Sequence, residues 1–413
     1  MKDTAPRFGH SMRGHWALDP AITYLNHGTV GATPRAVLAA QSALRDEIER
    51  QPARFLLREL TPIGVQGDAG SSRPGRGSGY RLRAAADAVA PWLGVAGEDL
   101  VFVDNATTGV NTVLASWPLR PGDEVLVTNH AYGAVARAAA FHARRAGATA
   151  VTVKLPFPAR DDAAVLDALN AAITPRTRLA VLEHVGPETA LVMPLAEMAR
   201  CCRERGVAVL ADGAHAPGAL AVDIPSYGVD AYTGNLHKWA FAPRGCGVLW
   251  VAPALRELVH PLVMSWGAGL GWIAEFDWTG TRDPTPFLCA PAGLQFIDDV
   301  LGGREALWVH NHALAWRSAE RLTTRWALPW TTPRESVGSM VSIPLPEALG
   351  RGVAAAAALK DWLLFERCIE AQVLAIDGAP WLRLSAQAYN DDDDVERLAA
   401  AIDERVKACS PRV

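Results

Sequence analysis

Residues 234–247 read GNLHKWAFAPRGCG and set Lys238 among small, aromatic and apolar neighbours. A lysine shielded from water favours its neutral amine, which is both a nucleophile and a base. Asp212 closes the apolar run VAVLAD and opens ADGAHAPG (211–218). A carboxylate buried at the end of such a run needs a cationic partner. His215 stands three residues further on. The run NATTGVN (105–111) offers the hydroxyls of Thr107 and Thr108 where a helix begins. Unpaired N–H groups at such a point suit an anion such as a phosphate, although they equally suit an ordinary N-cap. His130 ends the run VLVTNH; taken alone it reads as a core histidine.

These residues meet only if the elements bring them to one place. Val- and Leu-rich runs at 99–105, 123–130, 148–155, 177–185, 207–215, 230–238 and 245–252 alternate with helical patterns. That alternation predicts an α/β fold with a mostly parallel seven-stranded sheet flanked by helices. Ligands of such sheets bind beyond the carboxyl ends of the strands, where Thr107, Thr108, His130, Asp212 and Lys238 all fall. Lys238 follows Asp212 by 26 residues, one step along the series. One cofactor suits all three groups: pyridoxal 5'-phosphate. Its phosphate needs a helix start, its pyridine nitrogen a carboxylate, and its aldehyde a lysine for a Schiff base.

After about residue 290 the pattern changes. A helical stretch over 290–326, the strand-like runs GSMVSIPLP and WLRLSAQAY, a helix near 352–371 and a last helix from about 391 predict a smaller α+β domain. The division is then an N-terminal segment over 1–50 that packs on the small domain and the active site, a large cofactor-binding domain over 51–290, and a small domain over 291–413. Asp391–Asp394 read as helix-capping residues. The glycine-rich run 64–79 reads as a loop. No strand leads into it and no Gly-Lys-Ser/Thr follows, so it is not a phosphate loop of the Walker type.

The totals narrow the class. The chain has 413 residues, 50% of them apolar, and a net charge of −4. A nucleic-acid binder would carry a basic excess, so none is expected as a partner. No apolar run is long enough to span a membrane, and the first residues lack the apolar core of a signal peptide. Six scattered cysteines without a Cys-x-x-Cys pair read as reduced thiols in a cytoplasmic protein with no structural metal.

Eight stretches, in order along the chain, carry a resemblance: YLNHGTVGATP, RFLLREL, VFVDNATTGVNTVL, NHAYGAV, ADGAHAPG, YTGNLHKWAFAPRGCGVLW, GTRDPTPF and RLSAQAYN. Through them the chain resembles the class V aminotransferase family of fold type I pyridoxal-phosphate enzymes, and within it the isopenicillin N epimerase-like branch. The resemblance implies that Lys238 forms the Schiff base, Asp212 pairs with the pyridinium nitrogen and His215 contacts the ring hydroxyl. His130 would stack on the ring, with Tyr132 as the alternative. Thr107 and Thr108 would hold the phosphate, helped by Asn235 and His237. Thr281 in GTRD would complete the partner subunit's phosphate site, which implies a homodimer with shared active sites. Arg383 would grip the substrate α-carboxylate, and Asn26 and His27 would contact the substrate.

The branch favours epimerisation of an amino acid at Cα, in secondary metabolism. A β-eliminating C–S lyase or an oxidative decarboxylase or deaminase is the alternative; transamination stands further off. Epimerisation needs an acid facing Lys238 across the substrate, for which His27, Tyr132 or a water can serve. A desulfurase needs a loop cysteine, and 330–350 has none. A protein that merely bound the cofactor would not need Asp212, His215, Lys238 and Arg383 together. Trp266, Trp272 and Trp278 stand either at the substrate entrance or in an interface.

Overall fold

The computed structural model describes residues 8–61, 79–158 and 161–409; most of the glycine-rich run falls outside the described residues. A two-residue strand, β1 (Thr23–Tyr24), precedes the main series. That series is β2 (Leu100–Val103), β3 (Glu124–Thr128), β4 (Thr149–Val153), β5 (Thr177–Glu183), β6 (Ala208–Gly213), β7 (Ala231–Asn235) and β8 (Gly247–Val251). They form one sheet in the order β2-β8-β7-β6-β5-β3-β4. Only β8 runs against its neighbours, so the other strands send their carboxyl ends to one edge.

Because side chains alternate across a strand, each central strand feeds two cores. Phe102, Leu126, Leu182, Val209 and Val248 face one side; Val101, Val125, Val181, Leu210 and Leu249 face the other. Helices cover both faces, which is why these strands read as unbroken apolar runs rather than alternating ones.

Helices Ala290–Val300 and Arg304–Arg325 then follow, parted by Gly302 and Gly303 at positive φ. The last part of the chain adds β9 (Met340–Pro344), β10 (Ile369–Glu370), β11 (Gln372–Ile376) and β12 (Ala379–Ser385). β11, β12 and β9 form an antiparallel sheet in that order. Helices Arg304–Arg325, Gly352–Arg367 and Asp392–Cys409 share its core. β1 pairs in parallel with β10, and Asn26 bridges to Ser385. Residues 23–26 of the N-terminal segment therefore lie against strands of the small domain. Asp391 accepts the Asp393 N–H at 3.2 Å, in keeping with its expected capping role. No helix among the described residues is long and apolar enough to cross a membrane.

Candidate active site

The ends of β5, β6 and β7 and the first turn of helix Ala106–Ser116 face β11 and β12 across a cleft of about 500 Å³. Lys238 lies just past β7, and its Nζ is 3.0 Å from His215 Nε2. Burial, and then the charge of Arg383, lower its pKa to about 7. The amine therefore gives up its proton far more readily than an ordinary lysine, as a nucleophile must. Asp212 ends β6 and is buried, which raises its pKa; its carboxylate accepts the Ala214 N–H at 3.0 Å. Among the described residues it makes no ion pair, and a buried carboxylate in that condition suits a cationic ligand. His215 Nδ1 is buried without a partner.

The helix start is held by two amides. Asn105 Oδ1 caps it, accepting the Thr108 N–H at 2.9 Å and the Thr108 hydroxyl at 3.3 Å. Asn235 Oδ1 accepts the Ala106 N–H at 2.8 Å. The cap is therefore Asn105, Thr108 is engaged by it, and Thr107 lines the cleft. His237 also lines the cleft, with Nδ1 2.9 Å from the Cys246 carbonyl oxygen.

Arg383 is the positive group across the cleft. Its position on β12 is paired with Gln372 and Ser342. Its guanidinium donates to the Pro187 carbonyl, to Thr29 Oγ1 at 2.6 Å and to Asn26 Oδ1 at 3.1 Å. Every acceptor is neutral, Nε is buried without a partner, and burial lowers its pKa to about 10. Such a guanidinium is ready for a carboxylate.

Several expected contacts lie elsewhere. His27 is fully buried, with Nδ1 2.8 Å from the Tyr389 hydroxyl and Nε2 3.0 Å from the Lys238 carbonyl oxygen. Both nitrogens are engaged, so it is not a substrate contact. Asn26 supports Arg383 instead of lining the cleft. His130 is buried behind the wall, its Nδ1 2.9 Å from Thr189 Oγ1 and its ring edge-on to Phe157. Tyr132, 52% exposed, is the one of the two stacking candidates that lines the cleft. Thr281 is exposed and does not line its own chain's cleft. None of Trp266, Trp272 and Trp278 lines it, and neither does any described cysteine.

The cleft also holds residues that sequence reading missed: Thr29, Glu188, Arg244 and Gln372. Gln372 had a signal. It opens a hairpin whose two-residue turn, Asp377–Gly378, has positive φ at both positions, and Asp-Gly marks a type I′ turn. Glu183 is a further buried acid, level with Asp212 in the sheet. It accepts the Thr128 hydroxyl at 2.5 Å, and burial raises its pKa to about 7. No motif marked it.

The orphaned His215 nitrogen, the unpaired Asp212, the buried amine and the capped helix start fit pyridoxal phosphate. Comparison with known proteins agrees. The aminotransferase class-V family model matches residues 67–398. Isopenicillin N epimerase of Streptomyces clavuligerus is 31% identical, covering 95% of this chain and 96% of that protein. L-cysteine desulfhydrase of Arabidopsis thaliana is 30% identical, covering 98% of this chain and 91% of that protein. A solved structure of a lysine-to-alanine mutant of C-DES, with glycine covalently linked to its PLP cofactor, superposes with a TM-score of 0.73. It is 22% identical and covers 94% of this chain and 98% of that one, so the fold is that of the fold type I enzymes.

Proposed function

Since the chain belongs to the class-V aminotransferase family, we propose that it is a pyridoxal 5'-phosphate enzyme that moves a proton at Cα of an amino acid, with epimerisation as its reaction. One conjunction carries the reading: a lysine whose amine burial makes neutral shares a cleft with a buried arginine that holds no carboxylate. When bound, pyridoxal phosphate supplies an electron sink for the charge left at Cα. The chain's own residues do the rest. Lys238 would hold the cofactor through Nζ, and the same amine would take the Cα proton, with His215 Nε2 beside it. Asp212 holds the proton on the pyridine nitrogen. Thr107 receives the phosphate, with Asn235 bracing the helix start and His237 alongside. Arg383 binds the α-carboxylate through its planar fork. Tyr132 is read as the acid on the other face, because it alone of the two side chains expected there lines the cleft.

The second reading is β-elimination at a carbon–sulfur bond. It is favoured by the likeness to L-cysteine desulfhydrase, which is as strong as the likeness to the epimerase. A desulfurase reaction is disfavoured because no described cysteine lines the cleft. A homodimer is part of the proposal. The exposed apolar run Leu262, Val263, Met264, Trp266 and Leu270 supports it, as does an exposed Thr281 free to serve the partner's cleft.

The test is a panel of L-amino acids in heavy water, with chiral analysis and keto-acid and sulfide detection on the same samples. Deuterium at Cα with appearance of the D-form supports epimerisation. Sulfide and keto acid without racemisation support the lyase. In the first case Tyr132→Phe is expected to retain Cα exchange while losing most of the D-product. A Lys238→Ala protein with full activity and unchanged visible absorbance overturns both readings.

A further inference from the structure

The segment 26–31 touches both halves of the site. Toward the small sheet, Asn26 and Thr29 accept from Arg383, Asn26 Nδ2 donates to Glu370 at 2.8 Å, and the Gly28 N–H donates to Ser385 Oγ at 3.2 Å. Toward the large sheet, Arg244 donates to the Gly31 carbonyl at 2.8 Å. A Cβ at Gly31 would lie 2.1 Å from the His237 carbonyl oxygen. The segment is thus laid on the backbone of 237–238 as closely as glycine permits.

His27 is the buried member of this strap. Lys238 follows the end of β7 and lies outside any strand or helix, so its carbonyl has no place in a ladder and needs a donor. A carbonyl only accepts, so His27 Nε2 carries the proton and donates at 3.0 Å. Nδ1 is then the acceptor, and the Tyr389 hydroxyl donates to it at 2.8 Å. A hydroxyl that fixes the tautomer of a buried neutral imidazole also fixes which nitrogen is the donor. The ring is wedged between Trp239 and Phe241, with centroids 5.0 and 5.5 Å away. Packing alone would be met by any flat apolar ring.

We propose that His27, held in one tautomer by Tyr389, is a positioning residue for Lys238: it fixes the main chain beneath the amine relative to Arg383, so that one substrate's Cα and α-carboxylate are met together. The inference rests on the reading of Lys238 as the attaching base. Displacement of a reacting group by about 1 Å can cost about a hundredfold in rate.

The experiment compares His27→Phe, His27→Gln, Tyr389→Phe and the double variant His27→Gln/Tyr389→Phe. Phenylalanine fills the ring's space without a donor, whereas the glutamine amide can reach the Lys238 carbonyl. The readouts are kcat and KM of the loaded enzyme, and the pH midpoint of cofactor uptake by the cofactor-free protein. His27→Phe is expected to lower kcat by about 10- to 100-fold with KM changed by less than about threefold, and to move the uptake midpoint away from its wild-type value. His27→Gln should stay within about threefold of wild type. Tyr389→Phe should lower kcat in the wild-type background but not in the His27→Gln background, because glutamine has no tautomer to set. Wild-type kcat and midpoint in His27→Phe overturn the proposal, as does an equal effect of Tyr389→Phe in both backgrounds. The latter comparison serves if His27→Phe does not fold. Lys238→Ala separates the two failures: if it keeps cofactor absorbance, the reading of Lys238 fails; if it loses it while the His27 variants behave as wild type, only this inference fails.

Discussion

A lysine amine with a pKa near 7 and a guanidinium with a pKa near 10 share one cleft, and burial is the main cause of both shifts. The lysine shift has a sign that can be tested. Its ordinary value is 10.5. Between about pH 7 and 10.5 the unfolded chain therefore binds a proton that the native chain lacks, and stability rises with pH through this group. Below about pH 7 both states are protonated and the penalty is complete. Denaturant titrations of the cofactor-free protein across that window should show this slope in wild type and not in Lys238→Met. Cofactor uptake by the same protein should be half-maximal near pH 7 rather than near 10.5. Arg383→Lys keeps the charge but loses the fork. It is expected to raise KM by about tenfold or more while leaving the cofactor's absorbance in place, as steady-state kinetics and a spectrum of the same sample will check.

Helix Ala106–Ser116 carries the turn proposed to face the phosphate, and its seat on β7 depends on the absence of one side chain. A Cβ on Gly109 would lie 2.1 Å from Thr233 Oγ1 and 2.7 Å from its Cβ. Gly109→Ala must push the helix off the strand. It is expected to cost about 1–3 kcal/mol, the usual range for overpacking, and to weaken cofactor binding. Asn105→Ala removes only the cap and should cost about 1 kcal/mol. Thermal melts with and without cofactor distinguish the two. At this scale the seven main strands were legible because buried parallel strands are long apolar runs. The reversal of β8 was not, since an apolar run carries no record of strand direction. β11 was passed over although Asp377–Gly378 marks its hairpin, because it starts five residues after a helix that ends at Arg367.

The whole molecule presents an apolar run from Leu262 to Leu270 with Trp266 68% exposed. A patch of that kind usually marks an interface. In the proposed homodimer Trp266→Glu should shift the sedimentation profile toward monomer. If Thr281 serves the partner's cleft, cofactor affinity should fall in step, and Thr281→Ala should lower that affinity without changing the sedimentation profile. The strap over 26–31 works at the same scale, since it ties the small sheet to the main chain of Lys238.

By itself the sequence determined the alternation of strands and helices, and with it which loops fall at the carboxyl edge of the sheet. These are consequences of local periodicity. It also marked Lys238, Asp212, His215 and Arg383, which the fold brings to one cleft. Which way each side chain turns, and whether it is free, was decided only by tertiary contacts. His27 and His130 carry the right chemistry in the right motifs, yet both are turned inward, His27 with both nitrogens engaged and His130 with its Nδ1 engaged. Glu188 and Gln372 belong to no motif, and Thr29 and Arg244 stand in motifs that gave them no role, yet all four line the cleft. The partner that occupies His27 is 362 residues away and the one that orients Arg383 is 357 residues away. No local pattern can carry that information, because a side chain's hydrogen-bonding capacity is spent on whichever partner the folded chain brings within reach.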